Sequence, residues 1–296
     1  MIHYVVREEL DEVKYNECIE ASIQSRVYAY SWYLDIVVDQ WDILVLNDYE
    51  AVMPIPLRRK YFIHYVYPPL WILELGVYSK IKNNNEADFL SFLQKKFLFI
   101  ELRLNSGNKL DTRNSFLKER QFQELDLTQG HDSIRNRYQS DRKKDVKRAE
   151  KHQLRIEWGS HSDELIQLFR SNVGTRTPEI KDKDYKNLKT LISTCEEKNV
   201  GETCSVYQKN QLLAAAFVLK HQTTVTILCS STDFSNRKNG ANTFLIDQAI
   251  QRFSKDYSVF NFGGSSIKSI AKYFVSFGAK QKTYPMLVKK PKLFLT

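Results

Sequence analysis

An α/β (α+β) fold of mixed, mostly antiparallel sheets flanked by helices is predicted by three features of the 296-residue chain. Three β-rich runs, Thr203 to Gln208, Leu212 to Lys220 and Thr223 to Ser230, follow one another at hairpin spacing, and Lys209-Asn210 suits the first tight turn. The third run leads through Ser230-Ser231-Thr232 and Arg237-Lys238-Asn239-Gly240-Ala241-Asn242 into an amphipathic helix, which makes a strand, loop and helix in succession. The order of elements also runs twice along the chain, which argues for two domains, 1–125 and 126–296.

In the first half, periodicity predicts a strand over Ile2 to Val6 and helices near Leu10 to Ser22 and Tyr30 to Val38. Strands follow near Trp41 to Leu46 and Ala51 to Leu57, then a helix from Glu86 to Lys96 and a strand from Phe97 to Leu104. Residues Lys109 to Glu124 are polar and irregular, the composition of a linker. The second half opens with a strand at Glu124 to Leu127 and helices over Asp132 to His152. Leu154 to Trp158 alternates as a half-buried strand, Ser162 suits the cap of the helix opening at Asp163, and a helix over Asp184 to Glu197 gathers Tyr185, Leu188, Leu191, Ile192 and Cys195 on one face. After the helix that starts near Gly240 come a short strand at Val259 to Phe262, Gly263-Gly264-Ser265-Ser266, a further helix and Phe277-Gly278.

A hydrophobic fraction of 42% supplies ample material for buried cores. No window approaches the roughly 18 consecutive apolar residues of a membrane helix, and the N-terminus lacks the layout of a signal peptide, so membrane insertion is not expected and a cytoplasmic location is. Cys18, Cys195, Cys204 and Cys229 show no paired metal-ligand spacing, the six histidines form no spaced set, and reduced thiols without a catalytic metal are expected. The net charge of +9 is uneven: residues 1–125 hold 15 Lys and Arg against 18 Asp and Glu, a net −3, which leaves +12 for residues 126–296. Such a field attracts phosphate-bearing ligands such as nucleotides and coenzyme A, or polyanions, without choosing among them.

The junction before residue 240 carries the clearest chemistry. Unpaired N–H groups in a helix's first turn, together with its dipole, bind phosphate or carboxylate, so Asn239, Gly240, Ala241, Asn242 and Thr243 with the charge of Arg237 form a candidate anion site; an ordinary loop and helix cap is the competing reading. Ser230 and Ser231 end the central strand, where they either line an acceptor cleft or satisfy strand-end backbone groups. Cys229 beside them reads as a buried thiol. Arg142 opens a basic helix running to Lys151, read as a solvated face, a contact for a phosphorylated substrate, or an RNA-tracking surface. Arg176, in a turn, is a candidate for an acceptor carboxylate, and Trp32 and Tyr33 belong to an aromatic cluster that either fills a core or walls an acceptor pocket.

Taken in order, three segments resemble the acyl-CoA N-acyltransferase (GNAT-type) superfamily, and more closely its two-domain branch of Fem-type peptidoglycan peptide transferases and FemAB-like acetyltransferases. The segment Arg142 to Leu154 is similar to the basic helix and strand that open the second domain of that branch. Arg237-x-x-Gly240-x-Asn242 is similar to the superfamily's pyrophosphate loop, with Asn242 where Gly or Ala is usual, and Phe260 to Gly264 followed by Lys272 to Gly278 is similar to the closing strand, helix and Phe-Gly turn. The resemblance implies two tandem GNAT-like domains around a shared cleft, the first a degenerate partner and the second binding acyl-CoA (acetyl-CoA) for transfer to a small-molecule or peptide amine. Transferases using aminoacyl-tRNA tend to carry lysine just before the Phe-Gly turn, where this chain has Phe274 and Val275; Lys272 lies slightly earlier, which disfavours tRNA as donor. A non-catalytic binding protein on a degenerate fold is the contrasting expectation. Tyr284, past the turn, is either an acid or edge-strand packing.

Overall fold

In the computed structural model, residues 1–81, 86–110, 114–159, 162–263 and 267–291 are described, Asn236 and Arg237 by their backbone alone. The chain divides into two units, Met1–Arg120 with Thr283–Thr296, and Gln121–Lys282. The expected division at 125/126 therefore moves to 120/121, and the chain's end joins the first unit. The physical reason is a strand pairing that a linear reading cannot see: Met286 to Lys289 run antiparallel to Arg103 to Ile100.

The first unit contains β1 (Ile2–Val5), α1 (Glu12–Ala21), α2 (Ser31–Val37), β2 (Gln40–Leu46), β3 (Ala51–Lys60), β4 (Ile63–Val66), β5 (Tyr78–Ser79), α3 (Glu86–Lys96) and β6 (Ile100–Arg103). Strands β1 to β4 form an antiparallel meander, β5 pairs with the start of β3, and β6 runs parallel to β4 at Val66 and Ile100. The β2 and β3 strands are buried on both faces, which is why they read as continuous apolar runs rather than alternating ones.

The second unit is entered by β7 (Leu117–Asp126), the first residues of which belong to the first unit. It continues through α4 (His131–Asn136), α5 (Ser140–Lys151), β8 (Arg155–Trp158), α6 (Ser162–Ser171), α7 (Asp182–Glu197), β9 (Gly201–Gln208), β10 (Gln211–His221), β11 (Thr224–Thr232), α8 (Ala241–Phe253), β12 (Val259–Asn261) and α9 (Lys268–Val275), and β13 (Lys280–Lys289) leads out of it. From Leu117 to Glu124 the expected linker is thus strand. Its residues Lys118 to Gln121 are exposed, so no apolar alternation marks it.

Within this unit β7 pairs antiparallel with β12, β12 parallel with β11, and β11, β10, β9 and β8 continue antiparallel. The hairpin between β9 and β10 closes on Gln208 and Gln211, with Lys209 at φ 53° in the expected two-residue turn. Helices α5 and α8 cover one face, where Val206, Ala216, Val218 and Ile227 pack with Ala149, Phe244 and Ile250. Helices α6 and α7 cover the other, where a Cβ on Gly201 would meet Phe217 and Cys195 within 2.8 Å. Tyr185, Leu188, Leu191, Ile192 and Cys195 are buried on α7 as their spacing predicts.

Candidate functional site

Strands β11 and β12 part company halfway. They pair at Thr224 with Val259, Val225 with Phe260 and Thr226 with Asn261. The next residue, Phe262, donates its N–H to the Gln123 carbonyl at 3.0 Å, so the chain follows β7 instead of β11. Asn261 Oδ1 accepts from the Gly263 N–H at 2.8 Å and turns the backbone through Gly263 at φ 79°. From Ile227 to Thr232, β11 keeps β10 as its partner while β12 has ended. Among the described residues, no strand pairs with β11 on that side beyond Thr226.

A bulge re-aims that stretch. Phe217 pairs with Cys229 but Val218 pairs with Ile227, so Leu228 is the extra residue. Ser230 consequently stands opposite Ala216 on the α8 face, whereas Ser231 stands opposite Ala215 on the α6 face. Ser231 is buried, and its hydroxyl donates to the Leu168 carbonyl at 3.2 Å, which commits it to structure. Ser230 stays half-buried. Burial pushes the Cys229 thiol up to about 12, as for a packed thiol rather than a nucleophile.

A short 3-10 turn, Phe234–Asn239, joins β11 to Gly240, which has φ 83° and precedes α8. A Cβ on Gly240 would lie 2.4 Å from the Asp145 carbonyl oxygen. The glycine is therefore required by its left-handed backbone and by the approach of α5. Asn239 is buried, and its Oδ1 accepts from the Ala241 N–H at 3.0 Å. The N–H groups of Ala241, Asn242 and Thr243 fall in the first turn, where a helix offers no internal acceptor.

The side chains of that turn face inward rather than toward a ligand. Thr243 Oγ1 accepts from Arg142 Nη1 at 2.8 Å and lies 3.1 Å from both Asp145 Oδ2 and the Tyr273 hydroxyl. Asn242 Nδ2 donates to the Tyr273 hydroxyl at 3.0 Å. The Arg142 guanidinium stacks 4.6 Å above the Tyr273 ring and pairs with Asp145 at 2.9 Å, while Arg148 holds the other Asp145 oxygen at 3.0 Å. Burial raises the Tyr273 hydroxyl above its ordinary range, opposed by its hydrogen bonds with Thr243, Arg142 and Asn242, so it is neutral at physiological pH. Asn242, where the resemblance leads one to expect Gly or Ala, thus pins α8 to α9. Sequence reasoning misses Tyr273 and Asp145; the legible signals are a tyrosine beside Lys272 and an acid flanked by Arg142 and Arg148.

The other expected residues separate. Arg142 turns inward, leaving Lys143, Lys144, Lys147, Arg148 and Lys151 on the exposed face of α5. Arg176 is exposed, and its guanidinium lies 4.5 Å from the Phe234 ring at the start of the 3-10 turn that leads to α8. Asn172, buried nearby, accepts from the Phe234 N–H at 2.7 Å and fixes the same turn. Lys272 is exposed on α9. The Arg237 side chain and Gly264 to Ser266 lie outside the described residues. Tyr33 is fully buried in the first unit and donates to the Trp71 carbonyl at 2.6 Å, with Trp32 half-buried beside it, so Tyr33 fills a core instead of walling a pocket. Tyr284 also belongs to the first unit, lining a cavity of about 370 Å³ with Ser106, Asn108 and Lys118.

Comparison with known proteins agrees with this geometry. Residues 135–273 match the family described as the acetyltransferase (GNAT) domain. No curated protein sequence matches the chain. Among solved structures it is similar to FemX, at 9% identity and a TM-score of 0.67, covering 95% of this chain and 96% of that one. It is also similar to the C-terminal domain of a protein described as a putative lysylphosphatidylglycerol synthetase from Agrobacterium fabrum, at 12% identity and a TM-score of 0.59 over 95% and 92%. A tandem GNAT protein of the clavulanic acid pathway matches at 10% identity and a TM-score of 0.53 over 99% and 100%. Identities this low speak to fold. The family match and the structural likenesses together support a GNAT-type acetyltransferase domain over residues 135–273, on a fold shared with FemX and the tandem GNAT protein.

Proposed function

We propose that the second unit is an N-acyltransferase that moves an acyl group from acyl-CoA, acetyl-CoA being the simplest donor, to an amine of a small molecule or peptide. The observation that carries this reading is the parting of β11 and β12 after Thr226 and Asn261, next to the first turn of α8. A donor's pyrophosphate at the N–H groups of Asn242 and Thr243, the Ala241 N–H being taken by Asn239 Oδ1, would direct its thioester arm along the edge of β11. Because Asn242 and Thr243 spend their side chains on Tyr273, Arg142 and Asp145, the grip is one of backbone and dipole, supplemented by Arg237.

Attack by the amine nitrogen forms the C–N bond as the C–S bond breaks, and the ammonium proton passes to the departing thiolate. The chain's contribution is to hold the two reactants together and to aim backbone donors at the carbonyl oxygen. Ser230, half-buried on β11, is the hydroxyl placed nearest this role. The first unit is read as a non-catalytic GNAT-like partner, and a cytoplasmic location goes with an acyl-CoA donor and with an aminoacyl-tRNA donor alike.

A second reading, an aminoacyl-tRNA donor, is favoured by the five exposed cations of α5 and by the likeness to FemX and the lysylphosphatidylglycerol synthetase domain. Heating the protein with acetyl-CoA, longer acyl-CoAs and bulk tRNA separates the readings. Stabilisation by an acyl-CoA that is weakened in Arg237→Ala supports the proposal. Stabilisation by tRNA alone transfers it to the second reading, and no shift from any donor leaves a binding protein on a transferase fold.

A further inference from the structure

The β3–β4 hairpin in the first unit ends in a feature that transferase chemistry does not use. Lys60 pairs with Ile63, so Tyr61 and Phe62 are the two residues of its turn. Such turns favour Asn-Gly or Gly-containing pairs, because the first residue takes a left-handed backbone. Here Tyr61 has φ 55°, a conformation that bulky side chains rarely adopt, and it is followed by another large aromatic. Neither ring recovers the cost by packing: Tyr61 is 84% exposed, Phe62 87% and Ile63 47%. Isolated exposed apolar residues are ordinary, but three in sequence at a strand tip are not.

The cations around this tip indicate what the rings meet. Arg58 is occupied, held by Asp39 and stacked 4.0 Å from the Tyr67 ring. Arg59 and Lys60 are exposed and have no carboxylate partner among the described residues. Their charged groups instead lie 5.7 Å from the Phe62 ring and 5.9 Å from the Tyr61 ring. The tip thus combines rings and positive charge at one level. A protein interface requires about 800 Å² from each partner, more than a two-residue turn presents. Rings beside lysine and arginine match the boundary of an anionic bilayer, where the rings enter the headgroup layer and the cations meet lipid phosphates.

We infer that the Tyr61–Phe62 hairpin tip is a peripheral membrane contact that docks this protein on a negatively charged lipid surface. The contact is superficial, since no helix among the described residues is long and apolar enough to cross a bilayer. It is independent of the donor used by the second unit.

The test is co-sedimentation of the full chain with vesicles of phosphatidylcholine alone and of phosphatidylcholine with phosphatidylglycerol. The wild-type chain is expected to partition about tenfold or more in favour of the anionic vesicles, with the preference falling as salt rises. The double variant Tyr61→Asn/Phe62→Gly installs a preferred turn, so it should fold at least as well by thermal melting, yet lose about tenfold or more of the vesicle binding. Because that variant keeps every charge, its loss of binding assigns the contact to the rings and not to the overall basic character. A Phe62→Trp variant should show a blue-shifted emission component on adding anionic vesicles and none with neutral ones. Absence of wild-type binding to anionic vesicles overturns the inference, as does wild-type binding by the double variant.

Discussion

The hydroxyl of Thr243, in the first turn of α8, stands 3.1 Å from the hydroxyl of Tyr273 on α9. Around this pair Asn242, Arg142 and Asp145 complete a hydrogen-bonded knot that joins α5, α8 and α9. Consistent proton directions run from Asn242 to Tyr273, from Tyr273 to Thr243 and from Thr243 to Asp145, which leaves each hydroxyl both donating and accepting. The helix start proposed to face the acyl donor is therefore held from behind.

Tyr273→Phe removes the shared hydroxyl and leaves Asn242 Nδ2 without that acceptor. The expected cost is about 1–2 kcal/mol in urea unfolding. Any stabilisation by an acyl-CoA should shrink along with it, because the first-turn N–H groups lose their fixed direction. A variant with wild-type stability would show that the knot contributes nothing to fixing α8.

Gly240→Ala is a test of backbone conformation and close approach. The left-handed conformation costs about 1–2 kcal/mol for a residue with a Cβ. The contact with the Asp145 carbonyl, 2.4 Å from the added atom, forces α5 outward at about 1–3 kcal/mol more. A lowered melting temperature without donor is the expected outcome, so loss of donor binding in this variant says nothing about the anion site. Arg237→Ala is the informative substitution there.

Asp247 is fully buried on α8 and lies 3.0 Å from His131 Nε2 on α4, with Arg135 Nε at 4.0 Å. Asp247→Ala is expected to cost about 1–3 kcal/mol, the range for leaving a buried hydrogen-bond partner, here His131, unsatisfied. Chemical denaturation of the variant checks this. A change below about 1 kcal/mol would show that the buried His131–Asp247 hydrogen bond adds nothing measurable to stability.

The four cysteines are buried free thiols, and burial pushes Cys18 up to about 11 and Cys195, Cys204 and Cys229 each up to about 12 from an ordinary 9. A raised folded-state value means that the folded chain holds protons the unfolded chain releases. Stability from these groups is complete below pH 9 and declines as pH rises from 9 toward 12. Urea midpoints measured from pH 8 upward should fall over that window, and alkylation of the native protein at pH 8 should be slow relative to the unfolded chain.

Much of the fold was legible because its signals are local. The Lys209-Asn210 turn, the apolar face of α7 and the 86–96 helix all follow from neighbouring residues. The strand β7 was not legible, since Lys118 to Gln121 are exposed and carry no alternation. The candidate site divides in the same way. Strand, loop, glycine and helix could be read in order, but Leu228 as a bulge could not, and it decides that Ser230 takes the α8 face and Ser231 the α6 face rather than the reverse. Tyr33 and Arg176 show the same limit: an aromatic or a cation announces a contact without naming its partner, Trp71 in one case and Phe234 in the other.

By itself the sequence determined most of the element types, the hairpin succession, the glycine-led helix and the basic second half, because propensity, periodicity and charge act over a few residues. Only the tertiary structure decided that β12 leaves β11 after Asn261, that Asn242 and Thr243 turn inward to Tyr273, and that the chain's end joins the first unit. Those outcomes depend on pairings between residues about 30 to 185 positions apart, where competing burial and hydrogen-bond partners, rather than local preference, set the minimum.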